Sequence, residues 1–381
     1  MQRSIYFTEE HDLLRDQIRR FISEKVVPNG DAWEAVGMTP RQILKDLASL
    51  GLLGIRYPEQ FGGSNLNTLE SVVLAEELGR SSYGGFAITV LVHTDMASPH
   101  LANAGTPEQI EKYMPDIIKG NLITAVAVTE PDAGSDVAGL NTRAVKEGND
   151  WVLNGTKTFI TNGVHGDLYF VAARTDTSQK GSRGITMFIV EKGTPGFTVG
   201  RAIDKMGWQS SDTAELIFDE CRVPENNILG GVDQGFYAIL KNFQNERIVL
   251  GAQAIGEAQK ALELTLEYTR NRKAFEATLW DKQTIRQRLS MRLSEVEAGR
   301  QMVYHAAWLD TQGIDCTKEV SMVKAYCGEL VNKVMYDCQQ FHGGFGCIKG
   351  TVIERMVRDA RIQSIGGGAT EVMLEEVAKR I

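Results

Sequence analysis

The sequence predicts an α+β chain in three blocks: helical, then β-rich, then helical again. Three observations predict it. Apolar residues recur at helical spacing through roughly the first 120 of the 381 residues. Between residues 122 and 229 the texture changes to short β-rich runs separated by glycine-bearing turns. From residue 235 to about 272 a proline-free stretch could form a helix of unusual length. This order fits no doubly wound sheet, and no G-x-G-x-x-G follows a strand, which argues against a dinucleotide fold of that kind. The expected domains are 1–120, 121–231 and 232–381.

In the first block Thr8 precedes Glu9 and Glu10, a capping residue followed by acids in the first helical turn. Leu13, Leu14, Ile18 and Phe21 follow at helical spacing, and Gly51, Gly54, Pro58, Gly62, Gly63 and Gly105 punctuate the rest. In the second block the runs 122–128, 168–172, 185–190, 197–199 and 214–218 read as strands of an antiparallel sandwich or small barrel. In the third, helices are expected over 235–272, 281–311 and 317–341, with a short one starting at Thr370.

Composition narrows the function. A hydrophobic share of 43% and a charged share of 24% are those of an ordinary globular protein. The net charge of −8 argues against DNA or an anionic membrane as main partner. No apolar run approaches the ~20 residues needed to span a bilayer, and the charged N-terminus lacks the core of a signal peptide. The five cysteines have no C-x-x-C spacing, so reduced thiols in a cytoplasmic setting are expected. Cys316, Cys327, Cys338 and Cys347 read as buried structural thiols. The six histidines show no metal-ligand spacing, and no metal is expected.

The most informative stretch is Val126-Ala127-Val128-Thr129-Glu130-Pro131-Asp132-Ala133-Gly134-Ser135-Asp136. A strand-like run breaks into a loop of hydroxyls, carboxylates and exposed amides, suited to a polar, phosphate-bearing ligand. Downstream comes Lys157-Thr158-Phe159-Ile160-Thr161-Asn162-Gly163. Further elements follow in order: Asp204-Lys205-Met206-Gly207-Trp208 with Ser211-Asp212-Thr213; Arg272-Lys273-Ala274-Phe275; Gln340-Phe341-His342-Gly343-Gly344-Phe345-Gly346; and Arg358-Asp359-Ala360-Arg361-Ile362. Together these resemble the acyl-CoA dehydrogenase family over nearly the whole chain.

The resemblance implies an N-terminal helical domain, a middle β domain and a C-terminal four-helix bundle. It implies FAD, a homotetramer, and α,β-dehydrogenation of an acyl-CoA to a trans-2-enoyl-CoA with electrons passed to an electron-transferring flavoprotein. By the same resemblance Val126, Val128, Thr129 and Ser135 line the flavin and its pyrophosphate, and Phe159, Ile160 and Thr161 pack on the ring. Arg272, Phe275, Gln283, Gln340, Gly343 and Gly344 would reach the flavin of a neighbouring subunit, and Ala369, Thr370 and Glu371 lie near the cofactor. Ser135, Gln244, Arg247 and Gly368 are implied on the substrate side. The chemistry is coherent: arginine pairs with phosphate through a rigid fork of donors, glycine lets backbone approach a ligand, and flat aromatics cover a ring face.

The reaction needs a base beside a weakly acidic α-carbon, and a carboxylate serves if desolvation raises its pKa. Many members of the family carry that glutamate in a loop where this chain reads Ile365-Gly366-Gly367-Gly368-Ala369-Thr370. Gly367 takes the matching position and has no side chain. The isovaleryl-CoA and long-chain branches carry the base on a bundle helix before an arginine, which matches Glu246 and Arg247. The helix pattern agrees: Ile239, Phe243, Val249 and Leu250 stand at i−7, i−4, i+3 and i+4 from Glu246. A glutamate on such a face is costly unless paired, hydrogen-bonded or protonated. The Gly367 N–H is implied to donate to the thioester carbonyl, and the bare loop leaves room for a long, branched or bulky acyl group.

Blander roles stand beside these. Ser135 could cap its loop, Arg247 could form a plain ion pair, and the three glycines could simply cap a helix. His342 is expected to pack or line a ligand. Phe159 replaces a frequent tryptophan, Glu276 and Ala369 replace a glycine and a threonine, and Cys347 and Gly350 depart from the usual glycine loop. Two other functions share the scaffold: an acyl-CoA oxidase or flavin monooxygenase, and a non-catalytic flavin-bearing binding protein.

Overall fold

The computed structural model describes residues 5–179 and 181–381. Seven helices come first: α1 (Glu9–Phe21), α2 (Gly30–Val36), α3 (Arg41–Ser49), α4 (Thr68–Gly79), α5 (Gly84–Leu91), α6 (Ser98–Ala104) and α7 (Pro107–Ile118). Thr8 caps α1, and its backbone N–H donates to His11 Nδ1 at 3.1 Å. Ile18 and Phe21 are buried, whereas Leu13 is exposed. Leu14, Ile18 and Phe21 share one stripe at 100° per residue, and Leu13 falls outside it.

The middle of the chain forms β1 (Thr124–Ala127), β2 (Arg143–Glu147), β3 (Asp150–Thr161), β4 (Leu168–Arg174), β5 (Ile185–Glu191), β6 (Phe197–Ala202), β7 (Thr213–Pro224) and β8 (Ile228–Leu229). They make one eight-stranded sheet in the order β6-β7-β3-β2-β4-β5-β8, with β1 beside β4. Most pairs are antiparallel as expected, but β1 and β2 each run parallel to β4. The long strand β3 was not anticipated, because its polar residues Asn154, Thr156 and Lys157 break the apolar pattern. Alternation along β4 and β5 sends side chains to two cores. Tyr169, Val171, Phe188 and Val190 join the sheet's own cluster, while Phe170, Ala172, Met187 and Ile189 join the core shared with the helices. The sheet is thereby sealed against the helical parts.

The last block begins with α8 (Gly235–Asn271), 37 residues long and proline-free as read from the sequence. A short hairpin, β9 (Lys273–Ala274) and β10 (Ala277–Thr278), leads to α9 (Gln283–Thr311) and α10 (Thr317–His342), then to α11 (Val352–Ile362) and α12 (Thr370–Ala378). Helix α11, which holds the Arg358–Ile362 motif, was not foreseen as a helix. Cys221, Cys316, Cys327 and Cys338 are buried, but Cys347 is exposed, contrary to expectation, on the turn that follows α10. No helix among the described residues is long and apolar enough to cross a membrane, and no cluster of their side chains could hold a metal.

Candidate active site

Glu246 lies in the first third of α8, where Ile239, Val249 and Leu250 are all buried. The residue itself keeps a partly exposed side. Burial pushes its carboxyl up to about 8, against the opposing pull of a hydrogen bond from Asn242 and the charge of Arg247. Asn242 Nδ2 donates to Glu246 Oε1 at 2.9 Å, and to the carbonyls of Asp95 and Met96 at 3.0 and 3.1 Å. Asn245 Nδ2 also donates to the Asp95 carbonyl, at 2.9 Å. These carbonyls belong to a π-helical segment, Val92–Ala97, just before α6. The residue four beyond Asp95 is Pro99, which has no N–H, so the Asp95 carbonyl cannot accept the usual i+4 helical bond. Both asparagines donate to it, and Asn242 also holds the Glu246 carboxyl. The apolar face was legible in sequence; Asn242, Asn245 and Asp95 were not, because nothing local links them.

Gly367 sits beside the next turn of the same helix. Its φ is +65°, and a Cβ built there would lie 2.2 Å from Leu250 Cδ1. The left-handed backbone and the leucine together require glycine. The Gly367 N–H has no acceptor among the described residues. Arg247 stacks its guanidinium 5.0 Å above the Phe243 ring. No carboxylate among the described residues is within ion-pair distance of it, and burial lowers its pKa. Gln244 is turned elsewhere: its amide donates to Thr317 Oγ1 at 2.9 Å and to Asp315 at 3.2 Å. Two residues before Glu246, it lies far around the helix from it. Gly368, Ala369 and Thr370 are half-buried and Glu371 is exposed, all next to Gly367 at the start of α12.

A second group gathers at the end of β1. Val126, Val128 and Thr129 are half-buried, and Thr129 O accepts from Thr158 N–H at 2.9 Å. That bond brings Phe159, Ile160 and Thr161 of β3 alongside. Lys157 Nζ donates to Val128 O at 3.0 Å and pairs with Glu130 at 2.7 Å, both side chains buried. Burial pushes the Glu130 carboxyl up, but Lys157 and the N–H groups of Thr142 and Asn141 outweigh it and hold it below the usual range. Phe159 is 66% exposed with φ +58°, an aromatic held out from its strand. A Cβ at Gly134 meets no atom within 4 Å, and Ser135 is exposed beside it. Open glycine backbone, free hydroxyls and an uncovered ring fit a flat, phosphate-bearing cofactor.

A third group lies at the far end of α8. Arg272, Gln340, Gly343 and Gly344, with Phe345 and Ile348, line a cavity of about 550 Å³. The Arg272 guanidinium has no partner among the described residues. Phe275 is 92% exposed on the hairpin turn, and Gln283 is exposed at the start of α9. His342 stacks on Tyr268 with ring centres 4.3 Å apart, in keeping with a packing role. Tyr268 is 22 residues from Glu246 along one helix, roughly 33 Å at helical rise. The structure thus assembles two site-residue groups around Glu246 and β1 and leaves the third distant within one chain.

The three parts of the chain match, in order, the family models for the acyl-CoA dehydrogenase N-terminal domain (residues 8–121), middle domain (125–221) and C-terminal domain (233–381). The chain is 39% identical over 377 residues to the long-chain specific acyl-CoA dehydrogenase, mitochondrial, of Mus musculus, covering 98% of this chain and 87% of that protein. It is 38% identical over 368 residues to the isovaleryl-CoA dehydrogenase, mitochondrial, of Pongo abelii, covering 96% and 87%. The fold superposes on the crystal structure of an acyl-CoA dehydrogenase from Geobacillus kaustophilus with a TM-score of 0.96, at 37% identity and 99% coverage of both chains. The chain belongs to the acyl-CoA dehydrogenase family.

Proposed function

We propose that this enzyme oxidises an acyl-CoA thioester to a trans-2-enoyl-CoA with Glu246 as the base. It is an oxidoreductase acting on acyl-CoA, and its cofactor is FAD. The observation that carries the residue assignment is a single carboxyl group, raised to about 8 by burial, on a face that keeps an opening. A base poised near neutrality both stays partly ionised and holds a proton once taken.

When bound, FAD supplies the acceptor for the β-hydride. Glu246 removes the α-proton, and Asn242 holds the receiving carboxylate in place. The Gly367 N–H donates to the thioester oxygen, which acidifies that proton. Val126, Val128, Thr129, Phe159, Ile160 and Thr161 cradle the cofactor, with Ala369, Thr370 and Glu371 on the helical side. Ser135, Arg247 and Gly368 face the substrate; Gln244, engaged by Asp315 and Thr317, acts at most by shaping the wall.

The preferred acyl group is long, branched or bulky. The bare Gly366–Gly368 stretch and the long-chain and isovaleryl-CoA relatives support this. The working assembly is a homotetramer in which Arg272, Phe275, Gln283, Gln340, Gly343 and Gly344 serve the FAD of an adjacent copy. Their distance from Glu246 and the bare Phe275 and Phe345 rings support it. Electrons leave to an electron-transferring flavoprotein in the cytoplasm, with domains at 1–120, 121–231 and 232–381.

An anaerobic screen of straight, branched, cyclic and aromatic acyl-CoAs tests this, with flavin absorbance as readout. Bleaching by long or branched thioesters is expected. No bleaching by any thioester would overturn the reading, and rapid reoxidation in air would point to an oxidase.

A further inference from the structure

Lys324 takes no part in the proton abstraction by Glu246. It lies in the first third of α10 and is 1% exposed. Among the described residues no carboxylate is within ion-pair distance of its ammonium. Removing an ammonium from water without a counter-ion is expensive. Neutral partners offset part of that cost. Nζ donates to Gln363 O at 2.6 Å and to Gly368 O at 3.0 Å. Gln363 caps the C-terminus of α11, where a cation is favoured by the unsatisfied carbonyls.

Those two carbonyls mark the ends of the glycine loop. Thr370 N–H closes the same loop by donating to Ser364 O at 3.2 Å. Gly367 lies between the two carbonyls that Lys324 holds, and a Cβ at Gly367 would be 3.8 Å from Lys324 Cε. The lysine therefore packs against the loop at Gly367, whose N–H lacks an acceptor among the described residues. Two neutral donors would have satisfied the same carbonyls without burying charge. Arg247 faces Lys324 from α8, while Cys327 and Glu329 act on it from its own helix; burial and Arg247 push its pKa down, to about 8. The site therefore carries two neighbouring cations, neither with a carboxylate within ion-pair distance among the described residues.

We propose that Lys324 is a positioning residue for the dehydrogenation: it clamps residues 363–368 so that the Gly367 N–H meets the thioester oxygen, and it adds a buried positive charge where that oxygen becomes more negative. The proposal rests on the dehydrogenase reading above. Preorganised charge in a water-poor site is where such stabilisation is most effective.

The test uses the flavin-loaded enzyme and an acyl-CoA that has α-protons but no β-hydrogen, phenylacetyl-CoA, in D₂O. With this probe α-proton exchange proceeds without oxidation. Lys324→Met is expected to slow exchange by on the order of 100-fold, the cost of losing one oxyanion donor. Flavin content and thioester affinity should stay within about threefold, so the loss falls on kcat and not KM. Lys324→Arg, which keeps charge and donors, should recover part of the rate, and it also serves if the methionine variant fails to fold. Wild-type exchange in Lys324→Met, or equal loss of rate and affinity in both variants, overturns the proposal. Absence of both exchange and flavin bleaching in the unmodified enzyme would instead overturn the dehydrogenase reading and this proposal with it.

Discussion

Two glutamates on α8, Glu246 and Glu257, share one face of the helix and differ in almost everything else. Eleven residues separate them, three turns and roughly 16 Å at helical rise. Burial raises both carboxyls to about 8. Around Glu257 the helices close completely. A Cβ at Gly79 of α4 would lie 2.3 Å from Gln253 O, and one at Gly256 of α8 would lie 2.0 Å from Glu76 O. Glu257 is 3% exposed, and its Oε1 accepts from Gln253 at 2.8 Å and from Gln363 at 3.1 Å. Around Glu246 the opposing element is a π-helical segment that runs into Pro99 at the start of α6, and the residue keeps an open side. A raised pKa therefore does not by itself mark a base. The opening beside the carboxyl makes the difference, and here it follows from whether glycine contacts or a widened turn face the helix.

Glu246→Gln is the strongest way to break this comparison. It should cut anaerobic flavin reduction by about 100- to 10,000-fold, the range for loss of a general base. Near-normal reduction would remove Glu246 from the chemistry. The pH dependence is next in size. With Glu246 titrating near 8, the reduction rate should climb with pH by about tenfold per unit below 8 and level off above it. Stopped-flow traces from pH 6 to 9 would check this, and a flat profile would contradict it.

Gly367→Ala forces a left-handed alanine against Leu250. Thermal unfolding should register a loss of about 1–3 kcal/mol, the usual cost of overpacking. An unchanged transition would mean that the loop moves freely beside Glu246.

Glu257→Gln should have the smallest effect on turnover, within about twofold. Its signature lies in stability. Glu257 keeps its proton in the folded chain up to about 8 but loses it near 4.5 when unfolded. Wild-type stability therefore falls as pH rises through that window. The variant should lack this fall, gaining at least about 1 kcal/mol over the wild type at pH 8 and little at pH 4. Loss of turnover in this variant would erase the distinction between the two sites.

Much of this was legible beforehand. Helix α8 follows from a proline-free run, Thr8 marks the start of α1, and Glu246 was identifiable from four apolar neighbours on its face. Strand β3 was hidden by its polar residues, whose partners are remote: Lys157 is satisfied by Glu130, 27 residues away. Helix α11 was read only as a motif. Gln244 lies near Glu246 in sequence, yet its amide is occupied by Asp315 and Thr317.

Spacing along the chain determines which face of a helix a residue occupies, and so the sequence alone could put Glu246 on an apolar stripe and deny Gly367 the role of base. It could not say what packs against that stripe. Asp95 and Met96, which hold Asn242, are 146 or more residues from it in sequence, and the carbonyls clamped by Lys324 are 39 and 44 residues away. Tertiary structure alone opened one glutamate and sealed the other, because solvation depends on every element that closes around a charge and not on the helix that carries it.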